Sequence, residues 1–239
     1  MSDPVSTLAS RIGSVRARIC AAEARFGRAP GSVTLLAVSK TRPAPELRQA
    51  AAQGLTRFGE NYLQEALDKR QALADLELEW HFIGPIQSNK TRPIAENFSW
   101  VHSVDRLKIA RRLSQQRPAE LPPLSICLQV NISGEASKSG LAPPEVSEVA
   151  QEVARLPNLR LRGLMAIPAP AWDFEAQRRP LARLRQLQER LIEQGLELDT
   201  LSMGMTDDLE AAVAEGATLV RIGTALFGPR PVAKSPPGL

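Results

Sequence analysis

The sequence predicts a parallel (β/α)8 barrel with one extra helix at its N-terminus. Three observations lead there. Eight short β-rich runs alternate with helical stretches along the chain. The 239 residues, 43% apolar and 23% charged, have the composition of one soluble globular domain with a single large core. Too little chain follows the eighth run for a full helix, so a long N-terminal helix has a gap to cover. Strands alternating with helices read as parallel β/α units, and eight of them close into a barrel. An open doubly wound sheet has the same local pattern and is the alternative fold.

The elements follow in order. Val5, Leu8, Ile12, Val15, Ile19, Ala22 and Phe26 alternate spacings of three and four, which puts them on one stripe of a long helix. Asp3 and Pro4 are read as its start and Gly27 as its end. The first four strands are expected at 33–38 (VTLLAV), 56–59 (TRFG), 80–83 (WHFI) and 100–104 (WVHSV). The second four are expected at 124–132 (LSICLQVNI), 159–167 (LRLRGLMAI), 198–203 (LDTLSM) and 218–223 (TLVRIG). Helical segments separate them, such as 181–194 with Leu181, Leu184, Leu187 and Leu191 on one face. The last eleven residues, PRPVAKSPPGL, hold four prolines and two charges and cannot bury enough to order themselves. The division is therefore one barrel domain at 1–230 and a Pro-rich tail at 231–239.

Composition also excludes several function classes. Thirty basic residues against 26 acidic ones leave a net charge of +4, spread without long blocks of one sign. With aromatics at 4%, stacking platforms for bases are scarce, so no nucleic-acid partner is expected. Cys20 and Cys127 lie far apart, without CxxC spacing, and indicate neither a disulfide framework nor a metal site. The N-terminal stretch has no apolar core like that of a secretory signal, and no run approaches the roughly 18 apolar residues of a membrane span. The expected address is the cytoplasm, with no membrane partner.

In a β/α barrel the working residues stand at the C-terminal ends of the strands. Lys40 follows the first apolar strand directly, where partial desolvation lowers an amine's pKa and suits it to forming a Schiff base with an aldehyde. A surface lysine capping the strand is the plainer reading. The loops after strands seven and eight, where barrels commonly bind phosphate, carry Gly204 and Gly223 for close backbone approach and Ser202 and Thr224 as hydroxyl donors. Asp207 with Glu210 resembles a helix cap that aims free amides at the site, although ordinary turn glycines explain either loop alone. Strand parity turns Thr218, Val220 and Ile222 outward and Arg221 and Gly223 inward. An interior arginine needs a partner: the nitrogen of a pyridine ring, or a buried carboxylate such as Glu60. Lysine, phosphate cup and interior arginine together match the needs of pyridoxal phosphate (PLP).

Eight segments carry a resemblance: LLAVSKTRP, RFGENYLQEA, WHFIGPIQSNK, WVHSVDRLKIA, QVNISGEASKSG, LRGLMAIPAP, LSMGMTDDLEAA and VRIGTALFG. In order, and over about residues 5–230, they resemble the pyridoxal phosphate homeostasis proteins. That family has the barrel of the fold-type III PLP enzymes, similar to the N-terminal domain of alanine racemase, without the second, β-rich domain. The resemblance implies that Lys40 is the Schiff-base lysine, holding PLP as a covalent aldimine, and that Arg221 partners the pyridine nitrogen. It also implies that Asn61 lies beside the cofactor and that Ser202, Met203, Gly204, Gly223 and Thr224 hold the phosphate. Ile86 stands where leucine is expected, a swap of similar volume.

Four matched residues have two readings each. His81 and Met165, near the ends of strands three and six, either line the pocket or fill the core, and neither is expected to be catalytic. Lys90 and Lys138, in loops on the cofactor side, either pass the aldehyde on by imine exchange or are simply solvated. A racemase needs a second base and a domain that excludes water. This chain has one tyrosine, Tyr62, two histidines, and no residues left for a lid. The resemblance therefore implies a PLP-binding protein that buffers the cofactor or delivers it to apo-enzymes, with no catalytic residue assigned. A weak amino-acid racemase, or another fold-type III enzyme, is the alternative. Without a dimerising second domain the chain is expected to be a monomer.

Overall fold

The computed structural model describes residues 7–135 and 138–229, so the tail expected at 231–239 lies outside the described residues. Eight parallel strands close in sequence order into a barrel. They are β1 (Thr34–Val38), β2 (Arg57–Glu60), β3 (Glu79–Phe82), β4 (Trp100–Val104), β5 (Leu124–Gln129), β6 (Leu159–Met165), β7 (Thr200–Ser202) and β8 (Leu219–Ile222). Closure comes from β1 against β8, with Leu36 paired to Arg221 and Ala37 to Ile222. All eight expected strands are present. The fifth and sixth end earlier than their apolar runs, because Val130–Ile132 and Ala166–Ile167 leave the sheet to build loops on the C-terminal side.

Around the barrel stand α2 (Ala44–Ala52), α3 (Leu63–Ala72), α4 (Thr91–Asn97), α5 (Leu107–Gln116), α6 (Val146–Ala154), α7 (Phe174–Glu193), α8 (Leu209–Ala214) and the single turn α9 (Thr224–Phe227). The N-terminal helix, α1 (Leu8–Arg25), packs against α8 and α9 and covers the gap that the short α9 leaves. Its predicted stripe is the buried one: Ile12, Val15, Ile19 and Ala22 are all in the core. Full burial of each isoleucine stabilises by about 2 kcal/mol. Arg11 Nε donates to the Leu226 carbonyl at 2.7 Å, and Arg18 pairs with both oxygens of Glu210 at 2.9 Å.

Among the described residues the helix begins at Leu8, capped by Thr7; the start expected at Asp3 and Pro4, with Val5 of the stripe, lies outside the described residues. The Thr7 hydroxyl accepts the Ser10 N–H at 3.2 Å, the ordinary way a threonine caps the first turn. Gly27 does end it, at φ 65°, with Arg28 N–H reaching back to the Glu23 carbonyl at 2.8 Å.

Strand parity divides the buried residues into two sets. Ala37, Phe58, Trp80, Val220 and Ile222 belong to the apolar cluster shared with the helices. Leu36, Cys127, Met165 and Leu219 are equally buried but lie outside that cluster, on the inner wall. A hydrogen-bonded set from β3, β4, β7 and β8 crosses the interior among them, which only inward-pointing side chains can do.

Candidate functional site

Lys40 stands one residue past the buried Ser39, at the C-terminal mouth of the barrel. The turn around it is held from both sides. The Ser39 hydroxyl donates to Glu60 Oε1 at 2.6 Å, and Lys69 Nζ from α3 donates to the Ser39 carbonyl at 2.7 Å. Lys69 also pairs with Glu60 at 2.7 Å and with Glu65 at 2.5 Å, while Glu65 accepts the Thr41 N–H at 2.6 Å. Thr41 sits at φ 65°, a conformation costly for a β-branched residue and held here by those bonds. Glu60 is fully buried, and its carboxyl is raised above the usual range by burial, against the pull of Lys69. Its alternative role as partner to Arg221 is not realised: Glu60 is turned to Ser39 and Lys69.

Lys40 lines a cavity of about 320 Å³ together with Asn61, Arg221, Gly223 and Thr224. Val38, Ile83, Ile167 and Met205 give it apolar walls, and Thr206 and Asp207 complete it. Asn61 Oδ1 is buried there with no partner among the described residues, an acceptor awaiting a donor. The Asn61 backbone is fixed by Gly84, where a Cβ would collide with the Asn61 carbonyl.

Arg221 points inside as parity predicts, and is 4% exposed. Its guanidinium donates to the Ser202 carbonyl at 2.5 Å, to Ser202 Oγ at 2.8 Å and to the Ala166 carbonyl at 2.9 Å. Among the described residues no carboxylate bonds to it, and burial lowers its pKa to about 10. Its N–H groups outnumber these three bonds, so it can also serve an acceptor in the cavity that it lines.

The predicted phosphate residues divide into two groups. Gly223 and Thr224 face the cavity, and the first N–H groups of α9 have no carbonyl of their own helix to bond. Ser202, Met203 and Gly204 lie behind it. Ser202 is fully buried, with Oγ shared between Arg221 and His102 Nδ1 at 2.7 Å. Met203 gives its N–H to the Leu219 carbonyl at 3.1 Å. Gly204, at φ 93°, brings the chain so close to α8 that a Cβ would stand 2.5 Å from Ala212 Cβ. The expected cap of Asp207 with Glu210 does not form. The helix starts at Leu209, Asp208 Oδ1 takes the Met205 N–H at 2.6 Å, and Arg18 claims Glu210.

His81 and Met165 are core residues that do not line this cavity. Lys138 lines an adjoining cavity of about 260 Å³ that shares Asn61, Ile83 and Ile167 with the first. Lys90 is exposed and lines neither. Two contributors escaped the sequence reading. Lys69, on α3, comes to the Lys40 turn only through tertiary packing, and no local pattern marks it. His102, beside Ser202 and Arg221, was detectable: the parity that turns Arg221 inward also places it inside β4.

The residues at this cavity fit PLP: an amine at the rim, an apolar slot, a donor-only arginine at one end and backbone and hydroxyl donors at another. Comparison with known proteins agrees. Residues 14–231 match the family model for the N-terminal domain of alanine racemase. The chain is 67% identical over 226 residues to the pyridoxal phosphate homeostasis protein of Pseudomonas aeruginosa, covering 95% of this chain and 97% of that one. With its Escherichia coli K12 counterpart it shares 52% over 237 residues, covering 96% and 100%. Among solved structures it is similar to PipY of Synechococcus elongatus PCC7942 with PLP bound, at TM-score 0.83, 38% identity, and coverage of 93% of this chain and 100% of PipY. An alanine racemase of Clostridium difficile 630 has the same fold at TM-score 0.74 and 14% identity, with this chain covering 58% of it. The chain belongs to the alanine racemase N-terminal domain family and, within it, to the pyridoxal phosphate homeostasis proteins.

Proposed function

We propose that the chain binds PLP in the Lys40 cavity and acts in intracellular vitamin B6 homeostasis, buffering the cofactor or delivering it to apo-enzymes. The observation that carries this is the convergence of Lys40, Asn61 and Arg221, from the ends of three strands, on one cavity of about 320 Å³. The PLP-bound PipY structure and the names of the curated relatives support it. When bound, the group supplies an aldehyde and a pyridine ring. Lys40 would hold that aldehyde covalently through its amine, with loss of water. The bonds to Ser39 and Thr41 hold the lysine in place for this. Arg221, which can only donate, offers an N–H to the ring nitrogen and opposes its protonation. We propose that the phosphate is met at Gly223 and Thr224 and that Ser202, Met203 and Gly204 support the site from behind them. Asn61 Oδ1 takes a donor from the bound group.

Amino-acid racemisation is the competing activity. Against it, Tyr62 is 53% exposed at the start of α3 and does not line the cavity. We further propose that the chain works as a cytoplasmic monomer, which sedimentation of the purified protein tests for the oligomeric state. Among the described residues no helix is long and apolar enough to cross a membrane.

Titration with PLP should build a visible absorption band that Lys40→Ala abolishes while leaving circular dichroism unchanged. Borohydride reduction and peptide mapping should place the pyridoxyl group on Lys40; its appearance chiefly on Lys138 would overturn the assignment. Loaded protein should restore activity to an apo PLP enzyme and fail to interconvert L- and D-amino acids. Rapid racemisation lost in Lys40→Ala would establish the racemase instead.

A further inference from the structure

We propose that Glu79, His81, His102 and Ser202 are positioning residues for Arg221, joined to it by a one-way hydrogen-bond chain that runs through the barrel to the mouth opposite the Lys40 cavity. The proposal rests on the reading of Arg221 as a cofactor-facing donor.

The geometry is continuous. From the cavity downward, Arg221 Nη1 lies 2.8 Å from Ser202 Oγ, Ser202 Oγ lies 2.7 Å from His102 Nδ1, and His102 Nε2 lies 2.8 Å from His81 Nδ1. His81 Nε2 then lies 2.9 Å from Glu79 Oε1. Glu79 is also paired with Arg57 at 3.1 Å, and the two line a polar cavity at the N-terminal ends of the strands with His81, Trp100, Arg162 and Asp199. His81 stacks on Trp100 with centroids 5.5 Å apart, which fixes its ring plane.

The direction of the chain follows from its Glu79 end. His81 and His102 are kept neutral by burial, His102 the more strongly because the nearby charge of Arg221 adds to it. Glu79 is ionised, held below the usual carboxylate range chiefly by its bond from His81. A neutral histidine has one ring N–H. The proton of His81 must lie on Nε2, facing the carboxylate, so its Nδ1 is an acceptor. His102 therefore donates from Nε2 and accepts at Nδ1. The Ser202 hydroxyl gives its proton to that Nδ1 and accepts from Arg221. At the other end arginine can only donate, which agrees with Ser202 Oγ accepting from it. The reverse order through the two histidines would require a protonated Glu79.

This gives the buried arginine something its immediate neighbours do not. Its direct partners are neutral oxygens, and the charge that acts on it from nearby is that of Asp208. The chain ties Arg221 to an anion at the far mouth while its direct partners in the barrel stay neutral. It also fixes the rotation of the guanidinium, because Ser202 Oγ has its proton committed elsewhere and can only accept.

Two measurements test it on the full chain. Nitrogen-15 spectra of labelled histidines, taken without PLP, should show both rings as Nε2–H tautomers in the wild type and in Glu79→Gln, whose amide oxygen still accepts from His81. Glu79→Leu, at a side chain 39% exposed, should release His81 into a mixture of tautomers. In PLP titrations Glu79→Leu should bind about fivefold more weakly, as expected for loosening one hydrogen bond, and Glu79→Gln should recover most of the loss. Arg57→Leu, which removes the ion pair and leaves the chain, should keep the wild-type tautomers. An Nδ1–H tautomer at His102 in the wild type, or unchanged PLP binding in Glu79→Leu, overturns the proposal. Wild-type protein that never saturates with PLP would refute the cofactor reading itself, and the tautomers would still decide the direction of the chain.

Discussion

Replacing Lys69 with methionine removes the cation that holds the turn around Lys40. Lys69 is 5% exposed and Glu60 fully buried, so the substitution strands an ionised carboxylate in the interior. Removing one partner of a buried pair typically costs about 3–5 kcal/mol. Two features place this case near the lower end. Ser39 still donates to Glu60 at 2.6 Å, and the Glu60 carboxyl, already raised by burial, escapes part of the cost by taking up a proton. About 3 kcal/mol in a domain of this size lowers Tm by roughly 9 °C. The deficit depends on pH. A carboxyl whose folded pKa lies above its ordinary 4.5 opposes folding only when it ionises, so its cost is absent below that value and grows as pH rises through the buried one. Lys69→Met raises the buried value further, and the variant should therefore recover stability relative to wild type between pH 7 and pH 5. Glu60→Gln combined with Lys69→Met should recover it at pH 7 as well. Urea unfolding at the two pH values measures both effects. A Lys69→Met protein as stable as wild type at pH 7, or equally destabilised at both, would refute the argument that Glu60 is the stranded charge.

Gly204→Ala should destabilise by about 2 kcal/mol, because it adds a strained φ and an overlap with Ala212, whereas Gly134→Ala, at φ 70° but with open space around it, should cost about 1 kcal/mol. Urea midpoints compare them. With iodoacetamide at pH 8 the exposed Cys20 should react and Cys127 should not, since burial pushes the Cys127 thiol up to about 12; mass spectrometry of the native protein checks this, and labelling of Cys127 would contradict its placement on the inner wall. Pyridoxal should bind at least tenfold more weakly than PLP, because it lacks the dianion that Gly223 and Thr224 are proposed to meet. Equal affinities by absorption titration would reassign those loops.

The barrel was legible because its signals are local. Runs such as VTLLAV and LSICLQ announce strands within their own residues, and the stripe from Leu8 to Phe26 announces a helix. Arg221 was legible through parity alone, which fixes the side of a strand but not the partner. The sequence therefore left Glu60 open as a salt-bridge acceptor, whereas Glu60 is directed outward toward α3. Parity was equally available for His102, yet a histidine between Val101 and Ser103 carries no sign of its role until Ser202 and His81 are seen beside it. The Asp207 and Glu210 cap failed for a related reason: Arg18, nearly two hundred residues earlier, competes for Glu210, and no window on the sequence contains both. The holding of Lys40 by Lys69 and Glu65 is likewise a product of where α3 lands on the barrel.

The position of α1 has a consequence for how the chain is made. The bond from Arg11 to Leu226 joins residues 215 apart. At about 5–20 residues per second of synthesis, the helix waits roughly ten to forty seconds on the ribosome before α8 and α9 exist to receive it. Through that interval Ile12, Val15 and Ile19 lack the α8 and α9 surface, and β1 lacks β8 on one edge. The barrel is thus completed at both seams by its last forty residues, and a chain stopped short of Leu209 carries an unpaired strand and an apolar helix face together. A nascent chain of this design depends on its final segment to cover its apolar surface more than an open sheet would.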